Sequence, residues 1–270
     1  MTHNKLLLLD FDGTLCLGEE PVLAYAGEVD SALNVRGLPG PGGRSVTEVV
    51  AQALARDVLL VPEIEFDGAG TPLATEPMPA PAAGTESAPA HPSSWPLQDG
   101  YQLVQLLAVQ SGLTHGETGD AFVRSRRTLL AGGLENTDLH APDRAGLLFE
   151  QLRGGGVVVV LLTNAPAESF GTWLSALGLA KSFDAVINSA QKPAGMPQAL
   201  QRARQVVAPP VREDQVLAVG DIWANDLAHP DQVGGSTILI DRFGTDLGSP
   251  TYRVPDFAAA VPLIRRWAGR

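Results

Sequence analysis

Two aspartates stand one residue apart directly after a short apolar run near the start of the chain. The run is Leu6–Leu9; Asp10 and Asp12 follow it, and Gly13–Thr14 then turn the chain away. An uncharged aliphatic run bounded by a turn predicts a buried strand, and ligands of open α/β sheets bind beyond the carboxyl ends of the strands. Beside a hard divalent cation, one carboxylate can attack phosphorus while the other transfers a proton. An ordinary Asx-turn is the alternative for this segment alone.

Two more apolar runs of the same kind end in polar side chains, and a lysine lies between them. Because parallel strands present their carboxyl ends at one edge of a sheet, these side chains are predicted to form one composite site with the two aspartates. Lysine is scarce in this arginine-rich chain, which favours a need for a compact point charge at that position. The residues are Thr163 and Asn164 after Val157–Leu162, Lys192, and Asp221 and Asp226 after Val216–Val219.

In this order and spacing, the segments resemble the four signature motifs of the haloacid dehalogenase superfamily. Members of that superfamily are mostly magnesium-dependent phosphohydrolases, so the resemblance implies Mg²⁺ as the cofactor and a small phosphate monoester as the substrate. It covers residues 4–16 and about 140–245 and is weak in between. The first motif is DFDGTL from Asp10 onward, the second is Thr163, the third is Lys192, and the fourth is GDIWAND from Gly220 onward.

The resemblance also implies a role for each catalytic residue. Asp10 is expected to attack phosphorus and form an aspartyl phosphate, and Asp12 to protonate the leaving oxygen and then activate the hydrolytic water. Thr163 and the main-chain amide of Asn164 are expected to hydrogen-bond the transferring phosphoryl group. Lys192 is expected to stabilise the negative charge of that group and to hold Asp10 in place.

For the metal, the resemblance implies a set of oxygen ligands. The Asp10 carboxylate, the main-chain carbonyl of Asp12 and Asp221 are expected to bind Mg²⁺, with water in the remaining octahedral positions. Asp226 is expected to support the metal directly or through water, or to orient the lysine. Asn225 stands where a shorter form of the fourth motif has its acid, so the division of roles between Asn225 and Asp226 stays open.

Composition limits the classes of protein to which this chain can belong. Its 270 residues suffice for one large domain or a core with an insertion, and its formal net charge of −11 gives no basic surface for a nucleic-acid backbone. The single cysteine excludes an intramolecular disulfide and a cysteine-rich zinc site. The run before Asp10 is too short for a signal peptide or a membrane span. We expect a cytoplasmic monomer or homodimer whose partner is a small phosphorylated metabolite, and neither nucleic acid nor membrane.

Alternating strand-like and helical patterns predict an α/β fold with a doubly wound, Rossmann-like parallel sheet. This core is predicted to comprise residues 1–16 and 136–270. A mainly α-helical cap over 17–135 is inserted where the superfamily carries caps that close over the site and select the substrate. The Pro/Ala-rich residues 62–96 contain no lysine or arginine and are predicted to form a mobile loop, with Val58–Phe66 as a candidate strand at its edge.

Apolar periodicity locates further elements in both parts of the chain. In the core it predicts helices over Pro142–Arg153, Glu168–Leu177 and Met196–Val207 and strands over Asp184–Asn188 and Thr237–Ile240. In the insertion it predicts helices over Pro21–Leu33, Val46–Leu54, Tyr101–Val109 and Ala121–Leu130.

Two other functions remain open. A phosphomutase or phosphotransferase would use the same aspartyl phosphate and pass the group to a second hydroxyl, and a catalytically silent relative would only bind a phosphorylated ligand or a partner protein. Carbon–halogen cleavage is disfavoured, because relatives with that activity lack an equivalent of Asp12. Carbon–phosphorus cleavage is disfavoured because it takes a Schiff-base lysine from the cap, and no lysine occurs between Leu6 and Ala180.

Overall fold

The computed structural model describes residues 5–73, 96–207 and 209–269. The chain divides into two compact units, one formed by Met1–Leu17 with His140–Arg270 and the other by Gly18–Leu139. The first break falls next to the predicted one, and the second falls a few residues later than predicted.

Strands and helices alternate in the first unit, whereas the second unit contains helices. None of the helices in the described residues combines the length and the apolar character needed to cross a bilayer. In chain order the elements are β1 (Lys5–Leu9), α1 (Glu20–Arg36), α2 (Val46–Leu54), α3 (Gly100–Gln110), α4 (His115–Gly132), α5 (Ala145–Gly154), β2 (Val157–Leu162), α6 (Phe170–Ala176), β3 (Ala185–Ile187), α7 (Met196–Arg204), β4 (Val216–Gly220), a π-helical turn (Trp223–Leu227), α8 (Ala228–Gln232), β5 (Ser236–Ile240), β6 (Tyr252–Val254) and α9 (Phe257–Ala268).

The first unit is built on one sheet whose neighbouring strands are all parallel. The strand order is β3-β2-β1-β4-β5-β6. The winding therefore reverses between β1 and β4, which creates a topological switch point where ligands of such sheets bind. The predicted doubly wound, Rossmann-like parallel sheet is confirmed.

Burial on both faces explains why the central strands read as uninterrupted aliphatic runs. All residues of β2 and β4 are buried. In register, Leu8 of β1 lies between Val160 and Ala218, and these three side chains share one hydrophobic cluster with Leu200 of α7. Side chains that alternate with them face the other side of the sheet, where α5 packs against β2 and α9 against β5. The strand ends are thereby fixed rigidly relative to one another.

Helices α5 and α6 begin later than the predicted starts at Pro142 and Glu168. The residues just before them, Arg144 and Ser169, have left-handed backbone angles, with φ of 55° and 56°. A helix cannot include this conformation, so each helix begins at the next residue. Neither position is a glycine, and the sequence pattern therefore gives no sign of the interruption.

In the second unit, α1 packs against α2, α3 and α4. Tyr25, Tyr101 and Phe122 form an aromatic cluster whose ring centroids are 5.7 to 6.2 Å apart. Capping boxes at Ser45 and Thr114 begin α2 and α4, each with the glutamate three residues later, and thereby satisfy the first amides of those helices. The helices predicted in the insertion are present. Whether this unit acts as a cap stays a prediction.

The start of the Pro/Ala-rich segment folds back on itself. Glu65 and Gln110 exchange hydrogen bonds of 3.0 and 2.7 Å, and an antiparallel bridge joins Phe66 to Pro72. The predicted edge strand is thus reduced to a single bridge beside a turn. Residues 74–95, where most of the predicted mobile loop falls, lie outside the described residues.

Candidate active site

Three neighbouring strands end in residues that the sequence assigns to chemistry. β1 lies between β2 and β4 and is parallel to both. Asp10 follows β1 and its amide donates to Val219 O at 3.0 Å, while Thr163 follows β2 and its amide donates to Ile187 O at 2.9 Å. Asp221 follows β4. Because each residue directly continues a strand, the sheet brings their side chains to one edge.

In the turn after β1, the first motif packs closely against the fourth. Phe11 O accepts hydrogen bonds from the amides three, four and five residues later, at 3.3, 2.8 and 2.8 Å. Gly13 in this turn has φ +79°, a left-handed conformation that glycine adopts without steric cost. A Cβ at Gly13 would overlap the carboxylate of Asp221. Glycine is therefore required here both for its backbone angle and for the close approach of Asp221.

Three carboxylates converge where β1 and β4 end. One oxygen each of Asp10, Asp221 and Asp226 lies within 4.8 Å of the others. Asp226 packs directly on the end of β4, since a Cβ on Gly220 would lie 2.5 Å from Asp226 Cβ. Oxygen ligands of this kind suit a hard cation such as Mg²⁺. The donor set therefore fits the metal that the family resemblance implies.

The ammonium of Lys192 lies between two of these carboxylates, those of Asp10 and Asp226. It donates to Asp10 Oδ1 and Asp226 Oδ1 at 2.6 Å each and to the carbonyl of Leu162 at 3.1 Å. The side chain of Lys192 is 3% exposed, and those of Asp10 and Asp226 are 10% and 5% exposed. An ammonium has three hydrogens, and all three are thus donated within the protein. Asp226, and not Asn225, is the residue of the fourth motif that contacts the lysine.

Burial and charge act in opposite directions on the pKa values of this cluster. Burial lowers the pKa of Lys192, but the charges and hydrogen bonds of Asp10 and Asp226 outweigh it and hold that pKa above its ordinary value. Burial raises the pKa of Asp226 to about 6, with the Lys192 charge opposing the rise and the Asp10 charge adding to it. Lys192 is therefore cationic at neutral pH. One ammonium among three clustered carboxylates leaves excess negative charge, which favours binding of a further cation.

The two residues after β2 present hydrogen-bond donors. Thr163 is buried, and its Oγ1 accepts from the amide of Ala165 at 3.0 Å, which leaves the hydroxyl hydrogen for a ligand. Among the described residues, none accepts a hydrogen bond from the main-chain N–H of Asn164. Both donors predicted to bind a phosphoryl group are thus present, and that role stays a prediction.

Asp12 lies in the turn after β1 and is half-buried. It forms a main-chain bridge with Cys16. Its carboxylate does not belong to the cluster of Asp10, Asp221 and Asp226, in keeping with the expectation that Asp12 offers a metal its main-chain carbonyl and keeps its side chain for proton transfer. The role of Asp12 in proton transfer stays a prediction.

Sequence reasoning missed two groups that contact Lys192. One is the carbonyl of Leu162, which no sequence signal marks because only its main chain takes part. The other is the side chain of Asn164, which binds the main chain of Lys192. The position of Asn164 directly after Thr163 was the one available signal. It indicated a role for the main-chain N–H of Asn164 and none for its side chain.

Fold and site together define a Rossmann-like α/β protein with clustered carboxylates and a buried lysine at the switch point of its sheet. The family model of the haloacid dehalogenase-like hydrolases matches residues 4–229. The chain therefore belongs to that family of hydrolases, as the motifs indicated. No curated protein matches the sequence.

Solved structures with a similar fold carry different activities in their descriptions. A protein described as a predicted phosphoglycolate phosphatase from Haemophilus somnus 129PT is 19% identical, with a TM-score of 0.53 and 98% of this chain and 99% of that chain covered. A haloacid dehalogenase-like family hydrolase from Streptococcus pneumoniae is 14% identical, with a TM-score of 0.54 and 98% and 100% covered. An L-2-haloacid dehalogenase is 16% identical, with a TM-score of 0.51 and 98% and 100% covered. At these identities the likeness shows the fold alone.

Proposed function

We propose that this protein is a magnesium-dependent phosphohydrolase that cleaves a small phosphate monoester through an aspartyl phosphate on Asp10. The observation that carries the proposal is the 2.6 Å hydrogen bond from the buried Lys192 ammonium to Asp10 Oδ1, next to a carboxylate cluster suited to a divalent cation. This bond fixes one oxygen of Asp10 and so directs the other, as attack on phosphorus requires. The presence of Asp12 supports a phosphate ester over a halogenated acid as the substrate.

Two displacements at phosphorus make up the reaction. In the first, an oxygen of Asp10 attacks phosphorus, the ester P–O bond breaks, and the leaving oxygen takes a proton from the carboxylic acid of Asp12. In the second, the Asp12 carboxylate takes a proton from a water whose oxygen attacks the same phosphorus. The bond between phosphorus and Asp10 breaks, so that inorganic phosphate is released and both aspartates return to their initial states.

The remaining residues offset and orient the charge of the phosphate. Asp10, the Asp12 carbonyl and Asp221 would hold Mg²⁺, whose charge offsets that of the phosphate dianion. The Thr163 hydroxyl and the Asn164 main-chain N–H donate to phosphoryl oxygens, where fixed donors in a buried site stabilise developing charge. The lysine ammonium holds one oxygen of Asp10 by a hydrogen bond and so aims the other.

The proposed substrate is a small phosphorylated metabolite. The helical unit Gly18–Leu139 follows the first motif directly, at the position where relatives carry a cap, and a cap leaves little room for a macromolecule. The net charge of −11 supports the absence of a nucleic-acid partner. A monomeric or homodimeric state and a cytoplasmic location stay predictions.

Phosphate release from a panel of small phosphate monoesters tests the proposal, with wild type and Asp10→Asn compared in the presence of Mg²⁺ and of EDTA. We expect release by wild type that EDTA abolishes and added Mg²⁺ restores. Asp10→Asn should lower release by at least about 10³-fold, because the amide is nearly isosteric but cannot act as the nucleophile. Asp143→Asn is the control, since that side chain is 96% exposed.

Two outcomes would contradict the proposal. Turnover that persists in Asp10→Asn would exclude the covalent mechanism. Formation of an isomerised sugar phosphate without free phosphate would identify a mutase instead of a hydrolase. If no monoester is hydrolysed, Asp10 phosphorylation by a panel member, read by mass spectrometry, separates a transferase from a silent binding protein.

A further inference from the structure

The side chain of Asn164 is bound to both main-chain polar groups of Lys192. Its Oδ1 accepts a hydrogen bond from the Lys192 N–H at 2.7 Å, and its Nδ2 donates to the Lys192 carbonyl at 2.9 Å. Of the standard side chains, only an amide offers an acceptor and a donor in this side-by-side arrangement. Asn164 is itself exposed, so the contact is not a by-product of burial in the core.

The segment that carries Lys192 needs such support. Ser189 and Gln191 have φ of 49° and 55°, a left-handed conformation that is strained for residues other than glycine. Strained residues of this kind persist only where their surroundings hold them in place. Ser189 N donates to Ala165 O and Ala190 N to Thr163 O, both at 3.0 Å. The Asn164 side chain adds further hydrogen bonds between the same two segments, and these are made to Lys192 itself.

We propose that Asn164 is a positioning residue, whose side chain holds the Lys192 main chain so that the ammonium reaches Asp10, Asp226 and the Leu162 carbonyl. The inference rests on the proposed function, in which that ammonium aims Asp10. The Asn164 side chain therefore acts on turnover through the lysine, while the main-chain N–H of the same residue is the group that faces the phosphate.

Chemistry separates this role from direct substrate binding by the same side chain. A substrate contact adds binding energy, so its loss raises KM and weakens binding of phosphate. If the Asn164 side chain instead positions Lys192, its removal misaligns the nucleophile and lowers kcat. A displacement of the nucleophile by about 1 Å costs about a hundredfold in rate. A merely structural contact would lower stability and leave kcat unchanged.

The test compares Asn164→Ala and Asn164→Asp with Asn188→Ala. Asn188 donates to Ala165 O at 3.3 Å and to Pro166 O at 3.5 Å. It therefore joins the same two segments of the chain without contacting Lys192. The measurements are kcat and KM for p-nitrophenyl phosphate with Mg²⁺, the inhibition constant of inorganic phosphate, and hydrogen exchange of the Lys192 amide by NMR. Asn164→Asp keeps the size and the acceptor but replaces the donor opposite the Lys192 carbonyl with a second acceptor.

We expect both Asn164 variants to lower kcat by about ten- to a hundredfold, with KM and the phosphate inhibition constant within about twofold of wild type. Exchange of the Lys192 amide should accelerate by about tenfold or more, because its acceptor is lost or its loop is loosened. Asn188→Ala should leave kcat and that exchange rate unchanged.

The proposal is overturned if KM and the inhibition constant rise while kcat stays constant, which would make Asn164 a substrate contact. It is equally overturned if kcat is unchanged in both variants, or if Lys192 exchange does not respond in Asn164→Ala. A wild type that releases no phosphate would instead refute the proposed hydrolysis. The exchange measurement would still decide whether the Asn164 side chain holds the Lys192 main chain.

Discussion

A buried lysine shared by two carboxylates is the central electrostatic feature of this protein. Removing such ions from water costs several kcal/mol each, and the arrangement is stable only because every hydrogen of the Lys192 ammonium has an acceptor within 3.1 Å. Loss of one member leaves the others as uncompensated buried charges. Asp10, Lys192 and Asp226 therefore depend on one another for stability as well as for chemistry.

We expect Lys192→Met to lower the free energy of unfolding by about 3–5 kcal/mol, because removing one partner of a buried ion pair leaves unpaired charge. Urea denaturation at pH 7 in EDTA measures this cost without a cation that could replace the ammonium. The double variant Lys192→Met/Asp226→Asn should recover part of the stability, since one of the two stranded charges is gone. A single variant that costs less than about 1 kcal/mol, as exposed ion pairs do, would show that these charges are not buried in solution.

At the scale of elements, the turn after β1 connects the first and fourth motifs. Its geometry depends on Gly13, whose φ is +79° and whose missing Cβ leaves room for Asp221. A side chain there would push away a carboxylate that the metal site needs. The turn therefore couples backbone conformation directly to the acidic cluster.

Gly13→Ala should lower the free energy of unfolding by at least about 1–2 kcal/mol, since alanine is strained in the left-handed region. It should also raise the Mg²⁺ concentration needed for half-maximal phosphate release, because Asp221 is displaced. Thermal unfolding and a Mg²⁺ titration measure the two effects. Gly119→Ala in α4 is the control: outside the adjoining backbone of its own helix, no atom lies within 4 Å of its Cβ position, and it should stabilise by about 0.5–1 kcal/mol. Equal behaviour of the two variants would contradict the steric argument.

The loop after β5 is organised by one buried carboxylate. Asp241 accepts hydrogen bonds from Thr245 N at 2.9 Å, Asp246 N at 3.0 Å and Arg253 Nη1 at 2.7 Å. Burial raises the pKa of Asp241, but the hydrogen bonds from Thr245, Asp246 and Arg253 outweigh it and hold that pKa below its usual range. A carboxyl whose pKa is lowered by folding stabilises the fold above its unfolded pKa of about 3.9. That contribution is lost as the pH falls through the lower folded value.

Asp241→Asn should therefore lower the free energy of unfolding by about 1 kcal/mol at pH 7. The difference from wild type should shrink as the pH falls below about 4, where Asp241 of the unfolded chain takes up its proton, and it should disappear below the lower pKa of the folded state. Urea denaturation across the pH range measures both. Asp246→Asn changes a side chain that is 94% exposed and 3.5 Å from the same arginine, and it should have no effect. A pH-independent difference for Asp241→Asn would contradict the linkage argument.

At the scale of the whole molecule, each of the two units has apolar packing of its own. Leu8, Val160 and Ala218 belong to the cluster of the sheet unit, while Tyr25 and Phe122 belong to the aromatic cluster of the helical unit. The chain enters the helical unit after the first motif and returns before β2. The site residues on the sheet are thereby positioned by one unit alone.

Replacement of residues 74–94 by a Gly/Ser linker of equal length should leave the melting temperature within about 2 °C of wild type. The replaced stretch is rich in proline and alanine, with Met78 as its single large apolar side chain, so it can bury little surface. Differential scanning calorimetry and phosphate release measure the outcome. A drop of more than about 5 °C, the equivalent of 1 kcal/mol or more, would show that the segment packs against the rest of the protein.

The amino-acid sequence by itself predicted five of the six strands described in the sheet, all except β6, and the order of the motifs. Runs such as Val157–Leu162 are apolar throughout because both faces of the strand are buried, and that signal is local and strong. Because strand ends share one edge, the positions of Asp10, Thr163 and Asp221 also followed. The starts of α5 and α6 could not be predicted. Arg144, for example, has a left-handed φ angle, and an arginine at that position gives no indication of it.

Only the tertiary structure decided which residue of the fourth motif pairs with the lysine. The family resemblance implied that Lys192 holds Asp10, 182 residues away, but it left open whether Asp226, 34 residues away, supports the metal or contacts the lysine, and no local pattern specifies this. One contact uses the main-chain carbonyl of Leu162, and the other joins the Asn164 side chain to the main chain of Lys192. Every residue possesses such main-chain groups, so no residue type marks them. Their contribution depends on the path of the chain in space, and a sequence records that path only through the fold that it forms.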